Sequence, residues 1–219
     1  MEREVLDAQR EQWQDSFKEM PEMFGSEASA PASRAAELFK KEGKTNVLEL
    51  GCGQGRDTIF FARNGFKVHS LDYSSQGLEA IDAKARELNL SHLIVSQMHD
   101  VRTPLPFPDE TFDACYSHML LCMALTSAQI EFLSDEIRRV LKPGGLNVYT
   151  VRNTTDAHYR TGIHRGEDMW EIAGGFIVHF FSREKVEHLA EGYEIDGIEE
   201  FEEGEVLKRL CIVTLRKVG

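Results

Sequence analysis

Apolar positions along the chain change their period near residue 45. Before that point the spacing is helical. Leu6, Trp13, Phe17 and Met20 fall near one face of an amphipathic helix predicted over residues 1 to about 20. The segment Pro21 to Ser26 breaks it, and a second helix opens at Ser29 or Ser33, near Pro31, and closes at Gly43. From Asn46 short apolar runs alternate with helical stripes. Strands are predicted at Asn46–Leu50, Phe66–Leu71, His92–Met98, Phe112–Tyr116 and Leu146–Val151. Helices between them cover Asp57–Asn64, Ser75–Leu88 and a stretch opened by the capping pair Thr126 and Gln129. Lys142-Pro143-Gly144-Gly145 ends that last helix.

Strands that alternate with helices over short connections imply a parallel sheet with helices on both faces. The tail departs from this. A helix from Arg183 to Ala190 is followed by strands near Tyr193–Phe201 and Lys208–Arg216, separated by a turn rich in Glu and Gly. Such neighbours pair as an antiparallel hairpin. The expected fold is therefore a Rossmann-like α/β domain, with a seven-stranded, mostly parallel sheet finished by a C-terminal antiparallel hairpin. Residues 1–43 form a helical extension and candidate lid, and residues 44–219 a cofactor-binding domain.

Composition narrows the class. The chain has 219 residues, enough for one well-cored domain with an extension. Lys and Arg number 25 against 37 Asp and Glu, a net charge of −12, which argues against a nucleic-acid substrate because phosphate neutralisation needs a basic face. The longest apolar stretch, Met119–Leu125, is far shorter than a membrane span, and the charged start Met1–Val5 does not read as a secretion signal. Cys52, Cys115, Cys122 and Cys211 are scattered without a CxxC pair, so no metal site is expected and buried reduced thiols are. These features point to a cytoplasmic protein.

The chemistry lies in Val47-Leu48-Glu49-Leu50-Gly51-Cys52-Gly53-Gln54-Gly55-Arg56-Asp57. Glycines between a buried strand and a helix start let the backbone approach a ligand, and the helix N-terminus adds unpaired N–H groups. The dinucleotide fingerprint GxGxxG is close, but the third glycine falls one residue early and Arg56 fills its place. Glu49, an acid at the strand end, is a poor neighbour for a pyrophosphate and suits a cationic ligand group. Asp72, 21 residues after Gly51, stands where an acid can accept both ribose hydroxyls of an adenosine. Asp100, after the third strand, can receive an adenine amino group.

The run ELGCGQG, the acid in LDYS, the HD pair, the strand FDACYSHML and the segment RRVLKPGG resemble the successive motifs of class I S-adenosylmethionine (SAM)-dependent methyltransferases, over roughly residues 45 to 152. Within that class the GCGQGRDT variant is similar to tellurite-resistance and thiopurine-type small-molecule enzymes, with the ubiquinone/menaquinone-biosynthesis type a second relative. The resemblance implies SAM as cofactor, S-adenosylhomocysteine as product, and cofactor contacts from Glu49, Gly51, Gly53, Gly55, Asp72, Tyr73, Asp100, Val101 and Ser117. Arg56 departs from the small residue common there; it is expected to hold either the N-terminal helix or the carboxylate of SAM.

Methyl transfer from a sulfonium asks chiefly for alignment and exclusion of water, and for a base only when the nucleophile is protonated. His118 is the candidate catalytic residue, as a polar contact or base; a structural histidine is the competing reading. Met119, Arg152 and His164 follow strands four and five and are candidate acceptor contacts, as are Trp13, Phe17, Met23 and Phe24 of the extension. The expected partner is a small methyl acceptor, apolar or anionic, for a monomer or homodimer without nucleic acid or membrane. A protein methyltransferase, a non-catalytic SAM-binding regulator and an NAD-dependent oxidoreductase are the rival readings.

Overall fold

Two helices come first, α1 (Arg3–Glu19) and α2 (Ala30–Lys41). The computed structural model describes residues 3–204 and 208–219, apart from the side chains of Arg3 and Leu6. The expected apolar role of Leu6 and residues 205–207 of the predicted C-terminal turn therefore lie outside the described residues. Ser29 caps α2, its hydroxyl accepting the Ala32 N–H, with Pro31 in the first turn as anticipated.

The alternating part follows as β1 (Asn46–Leu50), α3 (Arg56–Arg63), β2 (Lys67–Asp72), α4 (Ser75–Glu87), β3 (Ile94–Met98), β4 (Phe112–His118), α5 (Ser127–Val140) and β5 (Leu141–Arg152). Three short strands come next, β6 (Ile163–His164), β7 (Met169–Glu171) and β8 (Ile177–His179), then α6 (Arg183–His188), β9 (Tyr193–Glu203) and β10 (Lys208–Lys217). The capping box of Thr126 and Gln129 opens α5 with both of its hydrogen bonds made.

Among the described residues the main sheet has seven strands in the order β3-β2-β1-β4-β5-β10-β9. Its first five strands are parallel; β10 runs antiparallel to both β5 and β9. Because both faces carry helices, the central strands are apolar almost throughout. Along β4, Cys115 joins a core with Leu133 and Tyr149, while Tyr116 joins a second core with Phe39, Phe61 and Ile81 on the other face. The strand order reverses between β1 and β4, which opens a crevice outside their C-terminal ends.

Two expectations need correction. Lys142–Gly145 does not separate α5 from the fifth strand. Leu141 already pairs with Phe112, and the register then slips so that Leu146 pairs with Ala114. The Pro-Gly-Gly signal is real, but it produces a bulge inside β5, with Gly144 at φ +69°. The other is the separate sheet β6-β7-β8, which was not anticipated. Strands of two or three residues are too short to print an alternating pattern.

Candidate functional site

The chain leaves β1 at Leu50 and enters α3 at Arg56 through a turn in which Gly51, Gly53 and Gly55 all have positive φ. Gly55 caps α3 at φ +83°, and a Cβ on it would stand 2.3 Å from Ile81 Cγ1 of α4. Gly77, inside α4, is fixed by the reverse approach: a Cβ there would lie 2.3 Å from the Gly53 carbonyl oxygen. Packing with α4, rather than a ligand, thus accounts for Gly55. A glycine in a helix interior is a costly choice and was the available signal for Gly77.

Three acids surround this turn. Asp72 ends β2 buried, accepting the Gly53 N–H on one oxygen and the Ser74 N–H on the other, both at 2.8 Å. Burial raises its pKa above the ordinary carboxylate value, against the pull of those N–H groups. Glu49 is also buried and accepts hydroxyl hydrogen bonds from Thr58 and Ser70. Desolvation and the nearby Asp57 carboxylate push its pKa up to about 8. Asp100 behaves oppositely. Burial works to raise it, but hydrogen bonds from Arg102 hold it below the usual range. Arg102 grips Asp100 through Nε and Nη2 and reaches Asp7 of α1 at 2.8 Å, a bridge the sequence did not suggest.

Tyr73, Asp100 and Val101 line a cavity of about 40 Å³ with Trp13, Leu120 and Met123. Phe17 lies over the glycine turn, its ring where a Cβ on Gly53 would stand only 3.3 Å away. Trp13, Phe17, Phe24 and Phe176 form one aromatic group with ring centroids 4.6 to 6.4 Å apart. Gln54 ties the turn to this extension, donating to the carbonyls of Phe17 and Met20 and accepting the Met23 N–H. Arg56 donates to the Phe24 carbonyl, in the turn after α1, and pairs with Asp57.

His118 ends β4 beside Ser117, whose buried hydroxyl has no partner among the described residues. The chain then turns sharply at Met119, φ +61°. His118 Nδ1 lies 2.8 Å from Thr150 Oγ1 and Nε2 lies 3.2 Å from Glu203 Oε2. Two of the anticipated acceptor contacts are engaged elsewhere. Arg152 is buried, its guanidinium held by Asp156 and His158 and lying over the Phe180 ring. His164 is exposed on β6, bonded to the Glu167 carbonyl and facing Trp170. Glu203, 85 residues from His118 in the chain, carried no signal of its own in a run of glutamates.

The group fits an adenosine-bearing cation. Asp72 and Asp100 stand at successive strand ends beside a turn whose Gly51 and Gly53 are covered by Leu120 and Phe17. Glu49 is buried in β1 just before the turn, and Ser117 offers a buried hydroxyl unpartnered among the described residues. The His/Cys/Asp/Glu side chains of the described residues form no cluster that would hold a metal, and no described helix is long and apolar enough to cross a membrane.

A family profile described as a methyltransferase domain matches residues 47–145. A probable methyltransferase, ltbC, of Aspergillus luteorubrus is 31% identical over 135 residues, covering 58% of this chain and 46% of the relative. Demethylmenaquinone methyltransferase of Tropheryma whipplei is 35% identical over 100 residues, 45% of this chain and 38% of its own. The chain spans about half the length, or less, of these curated relatives. Among solved structures, the 1,6-didemethyltoxoflavin-N1-methyltransferase of Burkholderia thailandensis, bound to 1,6-didemethyltoxoflavin and S-adenosylhomocysteine, superposes with a TM-score of 0.77 at 16% identity. That match covers 99% of this chain and 90% of the other. At that identity it shows the shared fold.

Proposed function

We propose that this chain is a class I SAM-dependent methyltransferase and that it transfers a methyl group from SAM to a small-molecule acceptor. The observation that carries the reading is the buried Asp72 carboxylate, bonded to the Gly53 N–H at the end of β2 and poised for a ribose diol. Bound SAM would supply a methyl group already activated on a sulfonium. The rest is done by this chain's own residues. Gly51 and Gly53 keep the turn open to close approach, Asp72 binds the ribose hydroxyls, and Asp100 with Tyr73 and Val101 holds the adenine. Glu49 and Ser117 serve the methionine end. His118 faces the acceptor side and orients or deprotonates the nucleophile.

In the same reading α1 is a lid. The cavity of about 40 Å³ is far below the several hundred Å³ of a ligand pocket, so α1 has to withdraw before a cofactor enters. Its attachments combine the packing of Trp13 and Phe17 with hydrogen bonds that can be exchanged for water. Besides Gln54 and Arg102, Gln14 accepts from Ser75, and Gln9 pairs with Gly175 and Ile177 on the far side. A site roofed in this way favours an acceptor small enough to be enclosed.

Calorimetric titration with SAM, S-adenosylhomocysteine and NADH tests the first half. Binding of the sulfur ligands alone is expected, and NADH binding without SAM binding would sink the reading. Labelled methyl groups moving from SAM into a small-metabolite fraction test the second. Tight SAM binding with no labelled product from any fraction would instead mark a regulator.

A further inference from the structure

Where a ligand would meet β4, a carboxylate brought from the far end of the sheet is waiting. The pairing of Leu210 with Arg152 lays the start of β10 beside the end of β5. Glu203, at the end of β9 and opposite Lys208, is thereby carried to the C-terminal rim of β4. Thr150 Oγ1 accepts the Met119 N–H at 2.9 Å and lies 2.8 Å from His118 Nδ1. The Glu203 carboxylate can only accept, so the hydrogen between it and the imidazole sits on His118 Nε2, 3.2 Å from Oε2. A fixed chain from Thr150 through His118 ends on Glu203. Its second oxygen has no hydrogen bond among the described residues.

We infer that Glu203 is an acceptor-binding residue and that it selects an acceptor carrying an amine. The inference rests on the methyltransferase reading above. Arg56 and Lys208, the latter opposite Glu203 in the hairpin, also act on the carboxylate. Arg56 is committed to Asp57 and to the Phe24 carbonyl, so Lys208 is the cation left to compete with a ligand. A carboxylate with one oxygen free of protein donors among the described residues favours an ammonium over an anion. An ammonium must lose one proton to expose its lone pair. Glu203, held below the ordinary carboxylate value by the His118 hydrogen bond, stays ionised and pairs with the ammonium, and the proton passes to solvent water before transfer.

Benzylamine, benzyl alcohol and benzoate are matched in size and differ in charge. Each is titrated into the full chain saturated with S-adenosylhomocysteine, with wild type compared to Glu203→Gln. Benzylamine is expected to bind wild type at least about tenfold more tightly than benzoate, and Glu203→Gln to bring the two within about twofold. The variant should keep its melting temperature and its affinity for S-adenosylhomocysteine. Benzoate binding as well as benzylamine, a preference that survives in Glu203→Gln, or no binding of any probe would each overturn the assignment. If S-adenosylhomocysteine itself does not bind, the methyltransferase reading fails first; if it binds and only the probes disappoint, Glu203 alone is at fault.

Discussion

Glu49 is a proton store placed where a cation is expected. With its pKa at about 8 against an ordinary 4.5, the folded protein holds a proton between those values that the unfolded chain has lost. Stability from this group is complete at low pH and declines as the pH rises through that window. A bound ammonium would favour the ionised form, so SAM binding should release about one proton near neutral pH and tighten as the pH approaches 8. Calorimetry in buffers of different ionisation enthalpy reads the proton directly. Glu49→Gln should stabilise the unliganded protein at alkaline pH, weaken SAM binding roughly tenfold or more, and abolish the proton release. Gly77→Ala should cost about 2 kcal/mol or more, seen in thermal melts, because backbone rather than a flexible side chain blocks the new methyl. Glu49, Asp72 and Asp100 were legible because each stands at, or just past, the C-terminal end of its own strand. Arg102 and Glu203 were not, since only the assembled topology brings them to Asp100 and His118.

At the scale of elements, long apolar runs and capping residues announced β1 to β5, the helices and the terminal hairpin. Pairings within β6 to β8 depend on tertiary contacts, such as the His179 N–H bonded to the Cys122 carbonyl, and leave no local trace. The joint between α2 and α3 is a case where one residue holds two elements. Ser29 caps α2 and also donates its N–H and hydroxyl to the buried Asp57 carboxylate, which Tyr116 approaches at 3.2 Å. Ser29→Ala removes the cap and one of those donors, and should lower stability by about 2–3 kcal/mol in urea titrations. Gln54 is the corresponding joint between the glycine turn and α1. Gln54→Ala should speed dissociation of S-adenosylhomocysteine in stopped-flow experiments, by roughly tenfold, with little change in melting temperature.

Over the whole molecule the two edges of the sheet differ in kind. β9 carries Glu194, Asp196, Glu199, Glu200 and Glu202, charges that discourage pairing with another chain, whereas β3 exposes Val95 and Met98. The net charge of −12 adds a general self-repulsion that favours solubility. The two tryptophans divide the molecule in a useful way: Trp13 rides on α1 against Phe176, and Trp170 sits in the small sheet beside His164. In a Trp170→Phe variant the remaining indole would be an optical gauge of the roof. Withdrawal of α1 would carry Trp13 from its aromatic neighbours into water and shift its emission to the red, and reclosure over a ligand would reverse the shift. Emission that stays constant throughout a titration with S-adenosylhomocysteine, while calorimetry reports binding, would mean that the helix never lifts. Light from one residue would then time each opening.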